Sequence, residues 1–230
     1  ITINKGKSCF ISLWKYPEFE EIKNIAANTD HAYKSAAFSP DGRYIVTGSA
    51  NTGNSVAMWD TENGTQVWNY TGHKSADIQS VDFSSDGKQV ISGSWDDTVR
   101  LLDARSGKEL QVIYAHENNI NTVSISPDGK FFLSGSDDST ARIWNIETGE
   151  WTSMASNEDG SQWIMFNSRG YWDSSNNGGD LVAMTEGNSC WNIDQFAIKY
   201  NRPDFVSLTL PFSDENTVNH YYRQYLRRLK

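Results

Sequence analysis

The sequence predicts an all-β protein built from repeated units of four short antiparallel strands, with a short helical C-terminal extension. Three observations carry this. One turn motif is used three times, as Ser39-Pro40-Asp41-Gly42, Ser84-Ser85-Asp86-Gly87 and Ser126-Pro127-Asp128-Gly129, with the Asp residues 45 and 42 residues apart. Each turn is followed by a short apolar run ending in Gly-Ser, at Gly48-Ser49, Gly93-Ser94 and Gly135-Ser136. His31, His73 and His116 precede the turns at spacings of 42 and 43, and Trp59, Leu102 and Trp144 follow them at 43 and 42. A fixed period of this length marks a repeat architecture in which each unit is one supersecondary element.

The elements follow from the residues inside a unit. In the third, Ile120, Val123 and Ile125, then Phe131 and Leu133, then Ala141 and Ile143 form short runs separated by turn residues. Ser-Pro-Asp-Gly has type I turn chemistry: Pro presets φ, Asp bonds the nearby backbone and Gly takes a positive φ. Asp96-Asp97-Thr98 and Asp138-Ser139-Thr140 make the next turn, and Ser106-Gly107 and Thr148-Gly149 the third. Four strands in 42 to 45 residues form a propeller blade. Thr2 precedes Trp14 by 12 residues, as Thr47 precedes Trp59. On that alignment residues 1–3, 8–14 and 20–26 are the second, third and fourth strands of a blade. The chain is therefore expected to begin inside a blade and to be the C-terminal part of a longer ring.

After Met154 the repeat decays. Trp163–Tyr171 still reads as strand, turn, strand, with Gly170 41 residues after Gly129. Ile193, Phe196, Ala197 and Tyr200 share one helical face, and Pro203 is expected to stop that helix. Over residues 216–230, Val218, Tyr221, Tyr222, Tyr225, Leu226 and Leu229 follow helical spacing. Arg223, Arg227, Arg228 and Lys230 load the end of that helix with charge that suits its dipole. This helix either docks on its own domain or binds a partner. The expected organisation is a partial blade at 1–29, three blades at 30–155, a degenerate last blade at 156–192, and a helical cap and tail at 193–230.

Composition narrows the function. Nine Trp and 13% aromatic residues exclude a disordered chain. No apolar stretch approaches a membrane span, so no membrane partner is expected. The net charge of −9 opposes binding through nucleic-acid phosphates, so no nucleic-acid partner is expected either. Cys9 and Cys190 lie far apart with no metal-ligand spacing and are expected to be reduced and buried in a cytoplasmic protein. The two Asn-x-Thr matches, at Asn63 and Asn69, lack a signal peptide and are read as chance.

The repeat units resemble WD40 repeats. The third reads His116, Ser126-Pro127-Asp128-Gly129, Ser134-Gly135-Ser136-Asp137-Asp138 and Ala141-Arg142-Ile143-Trp144-Asn145. The second reads Gly72-His73, Ser92-Gly93-Ser94-Trp95-Asp96-Asp97 and Thr98 to Asp103, and the first ends Val56-Ala57-Met58-Trp59-Asp60. The fold implied is a WD40 β-propeller. The resemblance implies a hydrogen-bonded network of His, strand Ser or Thr, turn Asp and Trp in each blade. In the third blade these are His116, Ser134, Asp138 and Trp144. The second keeps His73, Ser92 and Asp96, but Leu102 cannot donate. In the first, a two-residue insertion at Asn51–Asn54 falls where the Asp should stand. The segment from Tyr171 to Asp204 resembles the tail that ends WD40 propellers in certain bacterial multidomain proteins, often paired with a caspase-like peptidase domain. No peptidase motif is carried over to this chain.

Catalytic readings give way to structural ones. The periodic histidines occupy one position of separate blades, so they are expected apart and bonded to strand hydroxyls or turn carboxylates. Asp96/Asp97 and Asp137/Asp138 resemble paired acids, yet one member of each pair belongs to a blade network. No P-loop, nucleophile elbow or nucleotide fingerprint is present, and Gly178-Gly179-Asp180 reads as a turn. No cofactor, metal or enzymatic activity is expected. The expected function is an interaction or scaffold module of a larger protein, with a protein or peptide partner and with upstream blades or another subunit completing the propeller. The alternative is a regulatory propeller that controls a caspase-like peptidase domain. In the family, the loops joining successive blades and those joining second to third strands share one face. Here they carry Asn51, Asn54, Lys74, Asp77, Trp95, Asp97, Glu117, Asn118, Asn119 and Asp137. Trp95 is the candidate anchor, with Tyr221 and Tyr225 of the tail helix as a second partner-binding candidate.

Overall fold

The computed structural model describes residues 2–5, 9–28, 31–51, 53, 55–73, 76–186 and 189–229. It contains two compact units, Ile1–Asp138 and Ser139–Lys230. In the first unit, β1 (Thr2–Lys5), β2 (Cys9–Lys15) and β3 (Glu20–Asn28) form a three-stranded antiparallel sheet. Next come two four-stranded meanders. One is β4 (His31–Phe38), β5 (Tyr44–Asn51), β6 (Val56–Asp60) and β7 (Gln66–Tyr70). The other is β8 (Ile78–Phe83), β9 (Gln89–Ser94), β10 (Thr98–Asp103) and β11 (Glu109–Tyr114). The antiparallel pair β12 (Ile120–Ile125) and β13 (Phe131–Ser136) completes the unit.

The core of this unit lies between sheets. Val46, Val56 and Met58 of one meander pack with Ile78, Val81, Val90 and Leu102 of the next. Ile11, Leu13 and Ile25 of the three-stranded sheet pack with Tyr33 and Ile45 in the same way. The middle strands β9 and β10 are almost wholly buried, whereas the outer strands β7 and β11 are largely exposed. The repeated Gly-Ser has a packing reason. A Cβ on Gly48 would stand 2.6 Å from the Ile78 side chain, and one on Gly93 2.7 and 2.8 Å from Val123 and Ile120. Glycine is therefore what lets the first strand of the next repeat approach. In the Ser-x-Asp-Gly turns, the Ser39 and Ser84 hydroxyls donate to Asp41 and Asp86 at 2.6 and 2.7 Å.

In the second unit, β14 (Ala141–Asn145), β15 (Trp151–Ser156), β16 (Trp163–Asn167) and β17 (Trp172–Ser174) pair in succession. The sequence reading gave residues 156–192 a blade of their own. Within that stretch β16 and β17 add edgewise to β15, a tight turn closed by Gly160 N–H onto Asn157 folding β16 straight back. The hairpin of β18 (Ala183–Glu186) and β19 (Ser189–Asn192) follows. Cys190 on that hairpin is a free, exposed thiol, which corrects the expectation of burial. Helical turns over Ile193–Phe196 lead into α1 (Ala197–Tyr200). Pro203 does not merely end that helix: it opens α2 (Pro203–Leu208), where its missing N–H costs nothing. α3 (Glu215–Arg228) is capped by Asp214, whose carboxylate accepts from the Thr217 amide at 2.9 Å.

α2 docks on the second unit's own sheet, and α3 packs on α2 and the residues leading into it. The Asn167 amide donates to the Phe205 carbonyl at 3.3 Å, and Tyr171 stacks on Phe205 at 4.5 Å. The Arg202 guanidinium lies between the Phe205 and Tyr225 rings, at 4.0 and 3.9 Å, and pairs with buried Asp204 at 2.7 Å. Arg228 donates to the Asn201 carbonyl at 3.0 Å. Tyr221 and Tyr225 are thus half-buried, while Tyr222, Leu226 and Leu229 of the same helix are exposed. Among the described residues, no helix is long and apolar enough to cross a membrane.

Candidate interaction face

The rigid part of the site is built from the His, hydroxyl and Asp positions. Thr47, Ser92 and Ser134 occupy the same register in β5, β9 and β13, opposite Ala36, Val81 and Val123. All three are fully buried. In the second repeat the His73 Nε2 lies 2.8 Å from Ser92 Oγ, and Nδ1 lies 3.0 Å from the Asp96 carboxylate. The Thr98 hydroxyl donates to the same carboxylate at 2.6 Å. In the third, His116 lies 2.8 Å from both Ser134 Oγ and Asp138.

The first repeat uses other groups. Trp59 Nε1 donates to Thr47 Oγ1 at 3.0 Å, and Ser49 and Ser55 bond to each other across the turn between β5 and β6. The His31 side chain falls outside the described residues. Trp144, expected from the sequence as the fourth residue of the third network, is buried in the second unit beside Trp151, with ring centroids 6.0 Å apart.

These networks have electrostatic consequences. Burial pulls the Asp96 carboxyl upward, but the hydrogen bond and attraction of the His73 ring, with the Thr98 hydroxyl and amide, carry it down to about 2. Arg100 extends the network, reaching Asp96 at 3.6 Å, Glu109 at 2.6 Å and the Tyr70 hydroxyl at 2.8 Å. Burial and the bond to Glu109 push the Tyr70 phenol up to about 12. Both ring nitrogens of His73 and of His116 are engaged, so neither ring is available as a base or ligand. Among the described residues no group of three or more His, Cys, Asp or Glu is placed to hold a metal ion.

Above this frame a continuous polar line crosses the first unit. Lys34 on β4 reaches Asp77 at 3.9 Å. The Trp95 backbone amide donates to the Asp77 carbonyl at 3.0 Å, and its indole N–H reaches Asn121 Oδ1 at 3.4 Å. Asn121 donates to Asp137 at 2.5 Å, and Asn119 donates to its other oxygen at 3.1 Å. The Asp137 amide in turn donates to the Asn119 carbonyl at 3.0 Å, and Ser136 Oγ to the Asn118 carbonyl at 3.0 Å. Trp95 is 44% exposed, so its indole is anchored at one edge and open on a face.

The structure thus brings Asp77, Trp95, Asn119 and Asp137 onto one line and sets Asn118 beside it. Asp97, two residues after Trp95 in the same turn, has φ 64, in the left-handed region. Asp96 and Asp138, their look-alike neighbours, turn inward to the histidines. Lys74 and Asn54 lie outside the described residues, as does the side chain of Asn51. Tyr221 and Tyr225 belong to the second unit. The sequence reading missed Lys34 and Asn121. Both project from first strands rather than loops, and nothing in their local pattern separates them from ordinary exposed strand residues.

Comparison with known proteins agrees with this architecture. The family model for the WD domain, G-beta repeat matches residues 21–60, 64–103 and 107–145, just over half of the chain. WD repeat-containing protein 62 of Mus musculus is 41% identical over 58 residues, which is 25% of this chain and 4% of that protein. Its counterpart in Sus scrofa is 38% identical over 58 residues, again 25% of this chain and 4% of that protein. The aligned stretch therefore spans a small fraction of these much longer relatives.

Proposed function

This chain belongs to the WD40 repeat family, and we propose that it recognises a protein or peptide partner through the line from Lys34 to Asp137, with Trp95 as the anchor. WD40 repeat proteins are generally non-enzymatic scaffolds for protein–protein interaction. One observation carries the choice of face. Trp95 sits at a turn that needs no tryptophan, is held at its indole N–H by Asn121, and still exposes 44% of its surface. Tryptophan dominates binding hot spots because it buries a large rigid area at small entropic cost. The amides and carboxylates around it supply acceptors and donors that orient a partner and exclude competitors.

The test is a paired capture with wild-type and Trp95→Ala baits, followed by titration of the purified partner. With the melting temperature retained, the variant binds about 30-fold more weakly, the effect of roughly 2 kcal/mol at a hot spot. Equal affinity for the two baits overturns the assignment to this face. A finer form of the proposal makes the partner a caspase-like peptidase domain in the same chain or complex. It is supported by the resemblance of the segment from Tyr171 to Asp204 to the tails of propellers found beside such domains. Its own test is whether adding the chain changes the activity of such a domain.

A further inference from the structure

The turn between β2 and β3 departs from the turns at the same place in the repeats that follow. In those, a glycine N–H closes onto the carbonyl four residues earlier: Gly64 to Asp60, Gly107 to Asp103 and Gly149 to Asn145, at 2.8 to 2.9 Å. The glycines have φ of 76, 69 and 70. Phe19 closes onto Lys15 at 2.8 Å in the same way, with φ 54. Left-handed backbone is free for glycine and costly for an aromatic residue. The other turns are also held by a side-chain acceptor: Asp60 accepts from Glu62, Asp103 from Ser106 and Asn145 from Thr148. Lys15 stands in that place here and has no acceptor. It pairs with Glu18 at 3.7 Å instead.

The folded chain uses this aromatic residue little. Phe19 is 72% exposed and Tyr16 82%, their rings meeting edge to face at 5.9 Å, and Ile22 nearby is 63% exposed. Glu20 and Glu21 follow, exposed and without an ion pair among the described residues. Lys23 is occupied with the Glu62 carbonyl at 2.6 Å. The tip therefore presents aromatic faces beside exposed carboxylates. Turns of a meander alternate between the two ends of its strands, so this tip lies at the end opposite to the Trp95 type of turn.

We propose that the Tyr16–Phe19 tip docks a basic segment of a protein partner, one in which Arg or Lys alternates with aliphatic residues. Aromatic faces attract guanidinium and ammonium groups and pack against their aliphatic stems. Glu20 and Glu21 receive the charged heads as charge-assisted hydrogen bonds. The same carboxylates repel an anionic lipid surface, the other common target of exposed aromatic tips.

The probe is a fluorescently labelled peptide alternating Arg and Leu, titrated by anisotropy against the whole chain, with a Glu/Leu peptide and phosphatidylserine vesicles alongside. Phe19→Gly and Tyr16→Ser bind the Arg/Leu peptide at least about tenfold more weakly than wild type. Phe19→Gly melts no lower than wild type, because it restores the residue used in the other turns. Trp95→Ala leaves this affinity unchanged, which separates the tip from the face proposed above. Wild-type affinity in both tip variants, equal binding of the Glu/Leu peptide, or vesicle binding that depends on Phe19 overturns the proposal.

Discussion

Asp96 and Asp97 are adjacent, chemically identical and placed in opposite roles, so substituting each in turn tests the blade network directly. Asp96→Ala removes the partner of His73 Nδ1 at 3.0 Å, of the Thr98 amide at 3.1 Å and of the Thr98 hydroxyl at 2.6 Å. It also removes the ion pair with Arg100 at 3.6 Å. His73 and Thr98 are 2% and 3% exposed, so their donors are left without water. Buried groups stripped of partners cost roughly 1–3 kcal/mol each, and partial rearrangement brings the total to about 3 kcal/mol. In a chain of this size that lowers Tm by about 6 to 12 °C. Asp97→Gly instead relieves a left-handed residue at φ 64 and leaves Tm equal or slightly higher.

The acid limb adds a second reading of the same pair. The Asp96 carboxyl is held at about 2, below its ordinary 3.8. Its contribution is therefore complete above about pH 4 and fades as the pH falls toward 2. The linked free energy is at most about 2 kcal/mol, and solvent near this part-exposed carboxylate reduces it to about 1 kcal/mol. Thermal melts followed by circular dichroism at pH 7 and pH 3 show the gap between wild type and Asp96→Ala narrowing on acidification. Equal Tm for wild type and Asp96→Ala at pH 7 refutes the reasoning, as does an Asp97→Gly loss as large as that of Asp96→Ala.

Three further outcomes follow from the geometry. Gly93→Ala, whose new Cβ would stand 2.7 Å from Val123 and 2.8 Å from Ile120, loses about 1–3 kcal/mol in urea unfolding through overpacking. Asn167→Ala destabilises by about 2–3 kcal/mol, measured the same way, because the Arg169 and Tyr171 amides lose their acceptor and the Phe205 carbonyl loses its donor. Cys190 reacts with a chromogenic disulfide reagent in the folded protein without denaturant, since its thiol is exposed and free. A thiol released only on unfolding contradicts that placement.

How much of this was legible in the sequence depends on the range of the interaction involved. The repeat period, the Ser-x-Asp-Gly turns and the second-strand hydroxyls at Thr47, Ser92 and Ser134 were readable because each answers a local backbone or register requirement. The inward role of Asp96 and Asp138 was readable because the period aligns them with His73 and His116. The helical pattern of α3 was readable as well, since its spacing is a property of the segment itself.

What lay beyond the sequence was decided by neighbours distant along the chain. Nothing local shows that Asn121 joins Trp95 to Asp137, because the join depends on how closely two repeats approach. The Ser49–Ser55 closure of the first repeat could not be read from a motif built around His and Asp. The edgewise addition of β16 to β15 and the opening of α2 at Pro203 were settled by which edge and which surface remained free. The Arg202 guanidinium between Phe205 and Tyr225 belongs to the same class. Local chemistry determines turns, periods and faces, since those energies arise within a few residues. Partners across repeats and docked helices are chosen by packing, whose energies exist only once the chain has folded.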